Sequence, residues 1–117
     1  MRAIAYVRCS SAEQAADGLS LEAQRARIVS WCEVAGASLV DVVEDAAVSG
    51  SRLLADRPGG ARIAALLEER RPSVDAVVVV RLDRLGRDAA ETLSYLRRFA
   101  SGQVGLVSIV DRVDLST

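Results

Sequence analysis

Apolar residues fall along this chain in short blocks whose period alternates between that of a strand and that of a helix. The opening run "RAIAYVR" (2–8) is nearly continuous and ends in a charge, as a buried strand does where it leaves the core. A polar stretch follows to Leu19. Ser20 then stands where a helix N-cap would, with Glu22 in the first turn, where the helix dipole favours a carboxylate. Leu21, Ile28, Val29, Cys32 and Ala35 make a helical stripe, and Gly36 supplies its stop. "SLVDVVE" (38–44) predicts a second strand rich in β-branched residues.

Residues 45–55, "DAAVSGSRLLA", have no clear period; they and residues 10–19 are expected to be mobile loops. Asp56 is placed to cap the next helix, with Pro58 in its first turn, Ile63, Leu66 and Leu67 on its buried face and Arg70-Arg71 at its carboxyl end. "DAVVVV" (75–80) is apolar on both faces, which predicts a central strand covered on both sides. After "RLDRLGRD" a helix is expected to about Ala100, with Leu93, Leu96 and Phe99 inside and Gly102 at its end. "VGLVSIV" (104–110) reads as a fourth strand, and the last residues, "DRVDLST", show no period. Strand–helix alternation of this kind predicts one α/β domain: a mainly parallel four-stranded sheet with right-handed crossovers and helices on both faces. The abrupt ending reads as a boundary inside a longer protein or an interrupted reading frame.

Composition narrows the chemistry. The 117 residues are half apolar but only 3% aromatic, so the core is built from Ala, Val, Leu and Ile. No apolar run is long enough for a membrane span, and the amino terminus is too short and interrupted for a signal peptide. Cys9 and Cys32 form no disulfide framework or metal-ligand spacing and are expected to be reduced core residues of a cytoplasmic protein. Histidine is absent and all 15 basic residues are arginine. That excludes a Walker A phosphate loop, a Schiff-base lysine, a Ser-Lys dyad and Ser-His-Asp catalysis. A net charge of −1 gives no global attraction for nucleic acid.

Ligands of open α/β sheets bind beyond the carboxyl ends of the strands. The first strand brings Arg8 and Ser10 to that edge. The second brings the Ser49-Gly50 loop, and the third brings Arg81, Asp83, Arg84 and Arg87. An early helix start would place Arg84 and Arg87 on one face. Guanidiniums grip phosphate oxygens in a bidentate fork, each charge-assisted bond worth roughly 1.5–3 kcal/mol, and one that meets transition-state charge contributes about 10³–10⁵ in rate. Beside them the hydroxyl of Ser10 or Ser11 becomes a candidate nucleophile toward phosphorus; chemistry alone does not separate the two. Other readings of the fold fail. A low-molecular-weight phosphatase loop needs arginine where Ala15 stands, "CSSAEQAADG" has no G-x-G-x-x-G, and a receiver domain would want a lysine. A generic phosphate-binding α/β module stays open.

"YVRCSSAEQ", "GLSLEAQ", "EDAAVSG", "DRPGG" and "VVVVRLDRLGRD", in this order, resemble the catalytic domain of serine site-specific recombinases, the resolvase/invertase family that includes the large serine integrases. The resemblance runs from about residue 3 to the end and implies a resolvase-like fold. It selects Ser10, by the R-x-S spacing, as the residue that would attack a DNA phosphodiester and form a 5′-phosphoserine link. It implies that Arg8, Arg84 and Arg87 grip the scissile phosphate, that Asp83 orients them or handles a proton, and that Arg57 is a further active-site arginine. Gln14, Gln24 and Ser49 would support the site. No metal or nucleotide cofactor is implied. The partners implied are DNA and, for the full-length protein, further copies in a dimer and tetramer, acting at the bacterial or phage nucleoid in the cytoplasm. The resemblance also makes residues 1–117 a catalytic domain without the dimerisation helix and DNA-binding domain that follow it in the family. Such a fragment alone is expected to be inactive. Cys9 stands where an aliphatic residue is expected. The "GLSLEAQ" and "SGSRLLADRPGG" stretches lean toward the large or phage-type branch.

Overall fold

In a computed structural model that describes residues 1–13 and 20–116, the chain builds a five-stranded sheet in the order β2-β1-β3-β4-β5. The strands are β1 (Arg2–Cys9), β2 (Ser38–Ala46), β3 (Ala76–Val79), β4 (Gly105–Ser108) and β5 (Val113–Asp114). The helices are α1 (Leu21–Ala35), α2 (Gly60–Leu66) and α3 (Ala89–Ser101), with short 3-10 turns at Leu54–Asp56 and Leu82–Arg84. β1 pairs in parallel with β2 and β3, and β3 with β4, whereas β5 runs antiparallel to β4. The expectation of four strands therefore falls one short. The fifth is a two-residue pairing made from "DRVDLST", too brief to leave a period in sequence.

Alternation along the strands divides the core. Ile4 and Tyr6 of β1, with Val77 and Val79 of β3, face a cluster completed by Leu54, Ile63 of α2 and Tyr95 and Phe99 of α3. Ala3, Ala5 and Val7, with Val78 and Val80, face the other way, against Ile28 and Cys32 of α1. Helices thus cover both faces, and all of β3 is buried, as a central parallel strand requires. Cys9 and Cys32 are free and buried, and burial pushes the Cys32 thiol up.

The helix ends of α1 lie where their capping residues indicate. Ser20 accepts from the Ala23 N–H, and Gly36 takes a left-handed φ of 72° that closes the last turn onto the Cys32 carbonyl. Its inward face differs from the expected stripe: Val29 and Ala35 are exposed, while Gln24 is buried with Ile28 and Cys32. The start of α2 also differs. Asp56 lies in the preceding 3-10 turn, Pro58 precedes the helix, and Gly59 is the N-cap without a side-chain bond of its own. The acceptor comes from β2: the buried Asp45 carboxylate takes the Gly59 N–H at 2.6 Å, the Gly60 N–H at 2.9 Å and the Tyr6 hydroxyl at 2.7 Å. This helix ends at Leu66, leaving Arg70-Arg71 beyond it. In α3 the buried residues are Tyr95 and Phe99, and Leu93 is exposed.

Asp45 therefore holds the end of β2, the middle of β1 and the start of α2 together. Asp45→Ala leaves three buried donors without their acceptor and should cost roughly 3 kcal/mol or more, at about 1–3 kcal/mol for each orphaned group, as read by urea denaturation. Asp45→Asn, which keeps one oxygen acceptor, should cost less.

Candidate active site at the β1/β3 edge

In this strand order β1 leads to β2 on one flank and β3 leads to β4 on the other, so the crevice of the sheet opens between the carboxyl ends of β1 and β3. Arg8 leaves β1 there, and Arg84 sits in the turn after β3. They are only 3% and 4% exposed. Each guanidinium bonds the other's backbone. Arg8 donates from Nε to the Arg84 carbonyl (3.3 Å) and from Nη2 to the Asp83 carbonyl (3.1 Å), while Arg84 donates from Nη1 to the Arg8 carbonyl (3.0 Å). Arg8 also donates to the Val48 carbonyl at 3.0 Å, tying in the loop after β2.

The backbone of Arg8 needs partners because β1 outruns β3; their register ends at Ala5 opposite Val78. Gln24 of α1 supplies them. Its amide oxygen accepts the Arg8 N–H at 3.3 Å, and its amide nitrogen donates to the Arg8 carbonyl at 2.9 Å. This explains a buried amide on the inner face of α1.

Arg57, 1% exposed, closes the site from below. It donates to the Arg84 and Leu85 carbonyls (both 2.8 Å), the Arg52 carbonyl (3.1 Å), the Gly50 carbonyl (3.4 Å) and the Tyr6 hydroxyl (3.2 Å), whose own proton goes to Asp45. Burial pushes the Tyr6 hydroxyl pKa far up, so it remains a neutral bridge.

Glu13 stands against Arg8 and Arg84. Its Oε2 accepts from Arg84 Nη2 at 2.7 Å, its Oε1 lies 3.6 Å from Arg8 Nη1, and Oε1 also accepts the Ser10 N–H at 3.0 Å. The Glu13 N–H in turn donates to Ser10 Oγ at 3.3 Å. The hydrogen bond from Arg84 is the main reason the Glu13 carboxyl is held down to about 2. Burial draws Arg84 down, but its bonds to Glu13 and Asp83 outweigh that and leave it raised. Arg8 is lowered by burial and then by the neighbouring positive charges of Arg84 and Arg57. Both guanidiniums remain protonated at neutral pH.

The structure thus brings Arg8, Ser10, Gln24, Arg57, Asp83 and Arg84 to one edge. Asp83 pairs with Arg84 Nε at 3.0 Å from a largely exposed position. Arg87 does not share a helical face with Arg84, because a 3-10 turn and an irregular step separate Arg84 from the start of α3. It is exposed, lies 3.4 Å from Asp88, and borders the same cleft of about 540 Å³ as Arg8, Gly50, Asp83 and Arg84. Gly86 lets this turn press on α3, since a Cβ there would come within 2.0 Å of Thr92 Oγ1. Ser49 is exposed and hydrogen-bonded with Ser51; its neighbour Gly50 is the residue that meets Arg8. Gln14 lies outside the described residues. A depression of about 580 Å³ at Arg70, Arg71 and Gln103 sits where β3 and β4 are about to begin, away from this edge.

Glu13, Asp45 and Tyr6 carried no assigned role in the sequence reading, although each lies inside a quoted block. A carboxylate three residues after a candidate nucleophile and five after Arg8 is the available signal for Glu13.

An arginine pair beside a serine, set at the switch point of an open parallel sheet, defines an anion-handling α/β domain. Residues 3–117 match the family described as Resolvase, N terminal domain, and the chain belongs to that family: it is a resolvase-type serine recombinase catalytic domain. Among solved structures it is similar to the N-terminal catalytic domain of TP901-1 integrase, at 28% identity over 100% of this chain and 83% of that one, with a TM-score of 0.82. It is also similar to the C-terminal catalytic domain of ISC1926 TnpA, an IS607-like serine recombinase (31% identity, 93% of this chain, 67% of that one, TM-score 0.73). A resolvase family site-specific recombinase from Streptococcus pneumoniae matches at 28% identity over 97% of this chain and 75% of that one, with a TM-score of 0.75. No curated protein gives a match. Among the described residues no helix is long and apolar enough to cross a membrane, and no cluster of His, Cys, Asp and Glu side chains has metal-binding geometry.

The sign of the Glu13 shift fixes a pH dependence. A carboxyl held at about 2 in the folded chain, against an ordinary 4.5, adds stability that is complete above about 4.5 and is lost as pH falls through about 2. The stability difference between wild type and Glu13→Gln should therefore be largest above pH 4.5 and shrink toward pH 2. Thermal melts across that range check it.

Proposed function

We propose that this domain cleaves and rejoins DNA through a covalent 5′-phosphoserine intermediate on Ser10. The observation that carries the reading is the buried, mutually bonded Arg8–Arg84 pair beside Ser10 at the β1/β3 switch point. Ser10 Oγ attacks phosphorus as the bond to the 3′ oxygen breaks. The released 3′ oxygen takes a proton, and the proton of the serine hydroxyl is lost. Attack by another strand's 3′ hydroxyl reverses the step, regenerates Ser10 and needs no nucleotide, because the phosphoserine ester conserves the bond energy. Arg8 and Arg84 meet the charge developing on the non-bridging oxygens, and their fixed placement spares reorganisation at that moment. Arg87 reaches the same phosphate from the mouth of the cleft, Asp83 orients Arg84, and Arg57 and Gln24 hold the arginines in place. The resemblance assigns supporting roles to Gln14 and to Ser49, the neighbour of the Gly50 that meets Arg8.

DNA affinity and assembly into dimers and tetramers come, in this reading, from parts of the protein beyond this domain, and the place of action is the nucleoid. With a net charge of −1, the isolated 117-residue chain should bind duplex DNA more weakly than about 10⁻⁴ M at physiological salt and exchange no strands. Fluorescence anisotropy with a labelled duplex tests this.

In a protein that joins this domain to a dimerisation helix and a DNA-binding domain, a nicked recombination site should trap protein on the 5′ end of the cleaved strand. Ser10→Ala should abolish that adduct while leaving site binding intact, and Arg84→Ala should slow its formation by roughly 10³-fold or more. An adduct retained by Ser10→Ala would remove Ser10 from the nucleophile's place.

A further inference from the structure

The Arg8–Arg84 pair already holds an anion in this structure, and the anion is the protein's own. We propose that the Glu13 carboxylate is an autoinhibitory stand-in for the DNA phosphate, occupying the arginine pair in the free domain and leaving when a phosphodiester arrives. The inference rests on the proposed role of that pair in binding phosphate.

Three donors converge on Glu13: Arg84 Nη2 at 2.7 Å, the Ser10 N–H at 3.0 Å and, more distantly, Arg8 Nη1 at 3.6 Å. Two oxygens of a carboxylate and two non-bridging oxygens of a phosphodiester both carry one negative charge and can be served by the same forked donors. Ser10 is tied to the same carboxylate through its N–H, and its Oγ accepts the Glu13 N–H at 3.3 Å, so the hydroxyl is held beside the occupied position. The partners also differ in freedom. The arginine side chains are 3% and 5% exposed and pinned by backbone carbonyls, whereas that of Glu13 is 27% exposed. Glu13 is therefore the member that can swing away while the donors stay in place.

Its departure exposes the charge imbalance of the site. Of the nearby carboxylates, Asp45 is committed to the Gly59 and Gly60 N–H groups and Tyr6, and Asp83 meets Arg84 from the solvent side. Without Glu13, the inner faces of Arg8 and Arg84 have lost their carboxylate, and an incoming phosphodiester restores it. An occupied site spares the free domain the cost of a desolvated Arg8 with no anion and an Arg84 left with Asp83 alone. It also imposes a competitor that DNA must displace, which suppresses engagement of stray phosphates.

The test is a titration of the 117-residue chain with dimethyl phosphate, a monoanionic phosphodiester, followed by NMR. Wild type, Glu13→Gln and Glu13→Gln/Arg84→Ala are compared, with folding checked from each spectrum. Glu13→Gln should bind about tenfold more tightly than wild type, because the competing charge is gone, and the added Arg84→Ala should remove the gain. In the wild-type chain, saturation should move the Glu13 carboxyl carbon signal together with the Arg84 side-chain signals; this arm stands even where a variant fails to fold. Equal or weaker binding by Glu13→Gln that still depends on Arg84 overturns the stand-in and leaves the phosphate site standing. A Glu13 signal that stays fixed while the Arg84 signals move has the same meaning. Binding indifferent to Arg84, or none in Glu13→Gln at millimolar dimethyl phosphate, overturns the phosphate site and the stand-in together.

Discussion

Two buried guanidiniums bonded to one another's backbone carbonyls set the geometry of this domain's working edge. Arg8 cannot shift without releasing the carbonyls of Asp83 and Arg84, and Arg84 cannot shift without releasing that of Arg8. Like charges so close repel, and burial removes the water that would screen them. The arrangement persists because each guanidinium nitrogen of the pair has an acceptor and no buried side-chain nitrogen or oxygen among the described residues is left unsatisfied. Positive charge is concentrated at one edge of a chain whose net charge is −1. Local field, rather than overall charge, is what this edge offers an anion.

The sheet makes that concentration affordable. β1 is buried along nearly all its length and flanked by β2 and β3, so Arg8 is delivered from a strand that cannot yield. Beyond the last β1–β3 pair, Ala5 opposite Val78, Gln24 takes over the pairing of the backbone at Arg8, three residues further along β1. On the other face, Asp45, Tyr6 and Arg57 link β2, β1 and the turn after β3 through a chain of hydrogen bonds. Each of these polar groups lies in the core cluster or against it, where an unmet bond is costly. Packing and polar satisfaction therefore enforce the same geometry.

Much of this was legible in the sequence, because the signals were local. Ser20 and Gly36 bracket α1 through their own capping chemistry, and the run of valines marks β3 as central. That Arg8 and Arg84 fall at one sheet edge followed from the order of strands and the side on which open sheets bind ligands; their direct contact follows from β1 lying beside β3. Features with distant causes were not legible. The cap of α2 comes from Asp45, well upstream on another strand, so the local candidate Asp56 was chosen instead. The period around Arg84 and Arg87 fits a helix, yet the chain makes a 3-10 turn in which the Leu82 N–H is taken by Asp111. Leu93 sits on an apparent apolar stripe but borders the cleft instead of the core. Glu13 reads as a polar loop residue until the fold brings Arg84 to it.

The resemblance gives Arg8, Arg84 and Arg87 the grip on the phosphate and makes Arg57 a further active-site arginine; the four side chains differ in what they hold. Arg57 spends its donors on carbonyls at both sides of the crevice, at Gly50 and Arg52 and at Arg84 and Leu85. To contact a phosphate it would have to give up bonds that keep those two segments together, and two of them fix the Arg84 and Leu85 carbonyls. Arg87 is the opposite case, exposed and, among the described residues, paired through its side chain with its neighbour Asp88, so that it can follow a ligand at modest cost. Arg8 and Arg84 lie between these extremes, buried and bonded to backbone yet facing the partly exposed Glu13 carboxylate. Under the proposed mechanism, a site that grips a phosphate, lets a serine replace one of its oxygens and then accepts a different strand needs all three behaviours. In that reading a strut keeps the frame, a fixed pair defines where charge is stabilised, and a mobile arm adapts to whichever strand is present.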